Sequence, residues 1–372
     1  MRRKLLAVTA AFTLFVAIGS AWQAANSGPY KVLKTAKTGG LGGFDYIYAD
    51  VPGRRLYIPR GATPNATPPV AARITVFDLD TLAPAGEIPD VRANGAAVDD
   101  KSGHGFASSR PVTMWDTKTL KVIKTIDVQG NPDGILGDAF NQRIYVLSHQ
   151  APHVTVIDAK TGDVLGTLDL GGAPEQAASD GKGHVYVDVS DKANVAVIDA
   201  RAMTVTAHYD LGDKGNGLAG LAIDAKNGIL FVAARNSGEP PAQPAQPTMV
   251  ILSAKDGKIL TTLPLAGGSD GAAFNPATME AFSTHGNGTL TIVKEKSPAS
   301  FEVLQNLDTM NGAKTLSLDT KTGHVLTMAA EYGPPPPAPP AGAAPADGRG
   351  RGRGPARGAM LPDSFSILVV GK

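Results

Sequence analysis

The sequence predicts an all-β chain, a seven-bladed β-propeller, and three observations carry that prediction. Short runs rich in Val, Ile, Leu and Tyr are separated by turns too short for a crossover helix, so neighbouring runs must pair antiparallel. The runs recur every 40 to 50 residues or so, the spacing of propeller blades. An acidic or amide residue closes the first run of each repeat: Asp50, Asp99, Asp138, Asp180, Asp224, Asn275 and Asp319. Finally, a lone strand-like segment at residues 30–40 matches the outermost strand of the second repeat, residues 120–130, while the last repeat lacks a fourth strand of its own.

Residues 131–170, NPDGILGDAFNQRIYVLSHQAPHVTVIDAKTGDVLGTLDL, show one whole repeat. Its four runs, 134–137, 143–148, 154–158 and 164–170, read as a meander. A single twisted sheet of four strands cannot cover both faces, so it needs copies of itself on either side. The second strands recur as RRLYI, HGFAS, QRIYV, GHVYV, GILFV, MEAFS and GHVLT. Each repeat-closing Asp or Asn can accept hydrogen bonds from the backbone of the turn it starts, a structural role. Asp78, Asp116, Asp158 and Asp199 open similar turns after the third strands, in ITVFDLDTL, VTMWDTKTL, VTVIDAKTG and VAVIDARAM. Pairing residues 30–37 with the last repeat closes the ring and leaves no long unpaired edge there.

Before the repeats, residues 1–21 combine Arg2, Arg3 and Lys4 with an apolar run from Leu5 to Ile18 and the small residues Gly19-Ser20-Ala21. That is the pattern of a secretory signal, and the run is shorter than a spanning helix needs. The expected location is therefore periplasmic or secreted, with no transmembrane segment once the signal is removed. The chain has no cysteine, so an exported fold must rest on its core without disulfides. A net charge of +1 and an aromatic share of 6% give no footprint for nucleic acid.

The strands RIYV, VYV, ITVFD and VTVIDAKTG, with HGNGTLTIVKEKSPASFEVL, resemble the YVTN-repeat, YncE-like family of exported seven-bladed β-propellers, over about residues 30–372. The resemblance implies the fold and export. It implies no one activity, because such propellers include both enzymes and binding platforms. The chain departs from the family pattern at Asn94, where related sequences carry histidine.

Three insertions, at 61–72, 236–248 and 332–363, fall between second and third strands, and therefore all open at one end of the ring. The last includes the Pro/Gly/Arg-rich segment 333–360, with Arg349, Arg351, Arg353 and Arg357, which reads as a solvated linker; RNA or an anionic envelope surface are its alternative partners. At that same end, counting five residues back from each repeat-closing residue gives Asp45, Asn94, Asp133, Glu175, Ala219, Asp270 and Lys314, the starts of the innermost strands. Four carboxylates around one axis should raise each other's pKa or recruit a cation. The loops after the second strands add Ser148, His149, Asp191, Asn236, His285, Asn287 and Glu331. Asp45, Asp133, Glu175 and Asp270 are thus the candidate metal ligands, for calcium or magnesium, with zinc or manganese if His149 or His285 takes part.

No G-x-S-x-G, P-loop lysine, H-E-x-x-H or C-x-x-C motif is present. Two function classes follow. One is a binding or scaffolding module whose funnel holds a small molecule, glycan or envelope protein. The other is a metal-dependent hydrolase of lactonase or esterase type, with Asp133 or Asp270 as base.

Overall fold

A computed structural model describes residues 28–235, 246–335 and 358–372. The signal-like residues 1–21, Asn236 and the four arginines of the last insertion lie outside that set.

Seven four-stranded antiparallel sheets form the ring of a β-propeller. Blade I comprises Tyr48–Asp50, Arg55–Arg60, Arg73–Asp78 and Pro84–Pro89; blade II comprises Ala93–Asp99, His104–Ser109, Val112–Asp116 and Val122–Ile126. Blade III is built from Pro132–Asp138, Arg143–Ser148, Val154–Asp158 and Val164–Leu168, and blade IV from Pro174–Ser179, His184–Val189, Asn194–Asp199 and Thr204–Asp210. Blades V and VI run from Leu218–Asp224 to Ile259–Pro264 and from Ser269–Asn275 to Ser300–Asp308. Blade VII takes Leu316–Asp319, His324–Ala329 and Ser366–Gly371 from the end of the chain and Lys31–Lys37 from its start.

The closing pair runs antiparallel from Lys31 opposite Gly371 to Lys37 opposite Ser366, with one register shift between Val32 and Lys34, and closes the ring as the sequence leads one to expect. Beside it, Tyr30 docks on blade VI: its N–H donates to Gln305 Oε1 at 2.9 Å, and Gln305 Nε2 donates back to its carbonyl at 2.8 Å. At the same end of the ring, Arg54 of blade I reaches Asp319 of blade VII at 2.8 Å, a second tie across the closure.

Period-two alternation sends successive side chains of one strand to different neighbours. In blade I, Leu56 and Ile58 pack against Leu326 and Met328 of blade VII, while Tyr57 between them packs against Trp115 of blade II. The core is accordingly divided among the blade interfaces, as in Phe106 and Met114 against Ile144 and Val146 between blades II and III. Every repeat-closing residue holds its turn, as expected: Asp50 accepts from Gly53 N, Asp99 from Ser102 N, Asp224 from Lys226 N, Asn275 from Ala277 N and Asp319 from Lys321 N. Asp138 accepts from Phe140 N, and Asp180 from the amides of Lys182, Gly183 and His184. The described residues contain no helix long and apolar enough to cross a membrane.

Candidate functional site

The innermost strands do not pair cleanly to their ends. In blade III, Pro132 pairs with Ser148 and Ile135 with Val146, so Asp133 and Gly134 together stand opposite Leu147 alone. Blade II sets Asn94 and Gly95 opposite Ser108, blade IV sets Glu175 and Gln176 opposite Asp188, and blade VI sets Asp270 and Gly271 opposite Thr284. Two residues against one is a β-bulge, which bends a strand and re-aims its side chains. The bulges turn Asn94, Asp133, Glu175 and Asp270 toward the mouth of the funnel. Asp45 and Lys314 arrive there from the segments just before Tyr48–Asp50 and Leu316–Asp319.

These side chains do not form a free cluster of carboxylates. Lys314 Nζ lies 2.8 Å from Asp45 Oδ1 and also donates to Asp270. Arg235 donates to Asp270 and reaches Glu175 at 3.9 Å. His149 Nε2 stands 3.8 Å from Glu175 and 3.2 Å from Asp133, and Asn94 Nδ2 donates to Asp133 Oδ1 at 2.5 Å. Tyr46 N donates to the Asn94 carbonyl at 3.1 Å, which returns the chain of contacts to Asp45. Negative and positive groups therefore alternate around most of the mouth. Lys314 and Arg235 stand between members of the four-carboxylate set expected as calcium or magnesium ligands, so the four do not face one another as unpaired charges. Asp270, the second proposed base, is held by both of those cations.

Hydrogen bonding of its ring N–H to the carboxylates of Asp133 and Glu175 pushes the His149 pKa up to about 10, so its imidazole carries a charge at neutral pH. Burial opposes the charges of Lys314 and Arg235. For Lys314 the pull of Asp270 and Asp45 outweighs it, and for Arg235 that of Asp270 and Glu175, so both are held above their ordinary values. Burial raises the Asp45 carboxyl in spite of Lys314. Beneath Glu175, fully buried Asp188 accepts from the bulge amides of Glu175 and Gln176 at 3.2 and 2.6 Å, and burial pushes its pKa up to about 7.

One residue further along each innermost strand, the ring has a floor. The seven residues there are Tyr46, Gly95, Gly134, Gln176, Gly220, Gly271 and Thr315. Gln176 reaches from blade IV to two other blades: its Oε1 accepts from Leu221 N and Ala272 N, and its Nε2 donates to Ala272 O, each at 3.0 Å. Tyr46 reaches from blade I to the Glu175 carbonyl at 3.3 Å, and burial pushes its hydroxyl well above its ordinary pKa. The glycines make room for them. A Cβ on Gly134 would lie 2.6 Å from the Glu175 carbonyl oxygen, so blades III and IV approach backbone to backbone.

The remaining candidates lie apart. His285 is fully buried and bonds Thr289 Oγ1 at 2.9 Å; burial pushes its pKa down to about 4, so it faces the interior of blade VI as a neutral ring and is not a funnel group. Glu331 is exposed at the stem of the last insertion, where its carbonyl accepts from Leu361 N. Ser148 caps Asn131 N at 2.7 Å, Asp191 accepts from Ala173 N and Asn287 donates to Ala266 O. Among the described residues, the group able to hold a metal is Asp133, His149 and Glu175.

No protein-family model matches the chain, and no curated protein is significantly similar to it. Among solved structures, it is similar to a chain of the mitotic checkpoint complex, with 10% identity over 88% of this chain and 94% of that one and a TM-score of 0.66. It is also similar to a chain of hydrazine synthase from Kuenenia stuttgartiensis, with 17% identity over 77% and 92% and a TM-score of 0.65. At these identities the likeness establishes the fold alone.

Proposed function

We propose that this protein is an exported binding module of the YVTN-repeat type, whose site is the charged ring at the funnel mouth and whose ligand is a small zwitterion or a partner-protein loop carrying both charges. One observation carries the reading: charges of alternating sign meet solvent above a floor that Gln176 and Tyr46 bridge. Side chains of His149, Arg235, Lys314 and Asp45 each remain about one-third exposed. Groups so arranged orient a ligand with complementary charges, and discriminate against one with a single sign, more than they add raw affinity.

Calorimetric titration with amino acids, dipeptides and amino sugars tests it. Arg235→Gln should weaken binding of a responsive ligand at least tenfold, while Lys160→Met, in a remote turn, should not. Binding indifferent to Arg235→Gln would place the site elsewhere. Export rests on residues 1–21; mass spectrometry of fractionated cells should find mature protein without them, and an intact cytosolic chain would overturn that part.

A metal-dependent hydrolase is the second reading, and Asp133, His149 and Glu175 favour it. It now belongs to that side of the ring. Asp270, engaged by two cations, is poorly placed to accept a proton.

A further inference from the structure

We propose that Asp133, His149 and Glu175 form a binding site for one divalent transition-metal ion of the zinc class, an inference that deepens the second reading and shares its part of the ring. The ligand atoms of all three residues lie within 4.8 Å of one another. His149 Nε2 stands 3.2 Å from Asp133 Oδ2 and 3.8 Å from Glu175 Oε2. Two ligands of a tetrahedral zinc ion, each about 2.0–2.2 Å from the metal, stand about 3.4 Å apart. The two separations from His149 bracket that value and the third is no more than 4.8 Å, so an ion fits once the side chains adjust.

Charge points the same way, independently of the distances. Asp45, Asp133, Glu175 and Asp270 are opposed by two cations of fixed charge, Lys314 and Arg235, which leaves two negative charges. A divalent ion that takes the place of the proton between His149 and the two carboxylates balances them. The surroundings are also those of a ligand set. Asn94 donates to Oδ1 of Asp133 and so leaves Oδ2, the oxygen beside His149, for an ion; Asp188 anchors the backbone of Glu175 from below. Asp133 and Glu175 sit in bulges of two blades, and His149 immediately follows the second strand of blade III, so all three are mounted on paired strands. An imidazole between two carboxylates selects zinc, cobalt or manganese over calcium and magnesium, which prefer oxygen alone. With 36% of the His149 side chain exposed, a further position on the ion faces the funnel, where a water or a substrate carbonyl would bind.

The test is a titration of the full, chelator-stripped chain with cobalt(II), read by visible absorption. One equivalent should produce the intense bands of a four-coordinate ion, and one equivalent of zinc should remove them. His149→Gln should abolish the bands and Glu175→Gln should weaken binding at least tenfold. His184→Gln should leave them unchanged, since that imidazole pairs with Asp180 at the opposite end of the ring. Melting curves check that each variant is folded; if His149→Gln is not, Asp133→Asn provides the same reading. Absence of cobalt bands at stoichiometric metal, or bands that survive loss of both His149 and Asp133, would overturn the site. Zwitterion titrations run in chelator separate the two claims: a ligand that binds there and depends on Arg235, in a protein that ignores cobalt, sinks the metal site and leaves the binding reading standing.

Discussion

The side-chain amide of Gln176 joins blades V and VI, accepting from Leu221 N and Ala272 N and donating to Ala272 O. One side chain therefore satisfies three backbone groups near the axis. Gln176→Ala leaves those groups in a space where water must replace the amide, and the cost should be about 2–3 kcal/mol. Tyr46→Phe loses a single 3.3 Å contact and should cost less than about 1 kcal/mol. Denaturant unfolding of the two variants measures the difference; equal costs would show that the floor is not held by Gln176.

Gly134→Ala places a methyl 2.6 Å from the Glu175 carbonyl oxygen. Backbone must move to accommodate it, so a loss of roughly 1–3 kcal/mol is expected although Ala is otherwise the better strand residue. Gly43→Ala, with open space around its Cβ, is the control in the same assay.

Asp319 supplies a pH dependence. Burial raises its carboxyl, but the hydrogen bonds from Arg54 and Thr322 outweigh burial and bring the pKa down to about 2, with 3% of the side chain exposed. A depressed carboxyl contributes stability that is fully present above its unfolded value near 4 and disappears as pH falls through about 2. Asp319→Asn keeps an oxygen for the turn, as Asn275 does in blade VI. It should be less stable than the parent by about 2 kcal/mol at pH 7, with the gap closing toward pH 2. A constant gap across that range would assign the loss to packing and not to charge.

Deleting residues 30–37 removes the strand that covers Ser366–Gly371, along with Tyr30's bonds to Gln305. The truncated chain should melt lower or aggregate, because an apolar strand edge is uncovered. Thermal unfolding indistinguishable from that of the parent would refute closure as a source of stability.

Replacing residues 336–357 by a short Gly-Ser turn should leave the ring intact. The stem holds the two ends together through Gly333 N to Ala359 O and Leu361 N to Glu331 O, both at 2.9 Å. A melting temperature lowered by several degrees would show that the segment contributes to the core.

Blade number, strand order and closure were legible because turn-forming Asp and Asn recur in register with the apolar runs. The same count, five residues back, located Asp45, Asn94, Asp133, Glu175, Asp270 and Lys314. Arg235 was missed, although its signal was present. Counting eleven residues forward from the repeat-closing positions gives Gly61, Arg110, His149, Asp191, Arg235, Gly286 and Ala330, and two of the cations in this set, His149 and Arg235, supply counter-charges of the ring. The repulsion expected among the carboxylates followed from weighing one set of positions without the other. Tyr46 and Gln176 were missed for another reason. Bulges are departures from hydrogen-bond pairing, and the apolar pattern that marks a strand carries no record of which end residues slip out of register.

The closing strands have a mechanical consequence. Lys31 lies directly opposite Gly371, so the chain enters and leaves the ring at neighbouring points. Opposed tension on those two residues loads the ladder one bond at a time, from Lys31–Gly371 toward Lys37–Ser366, as a zip is opened. The same strands pulled lengthwise past each other would share the load among all their bonds at once. Tethered by its two ends, this ring should open at low force from blade VII, with the other six blades still folded when the first step is recorded.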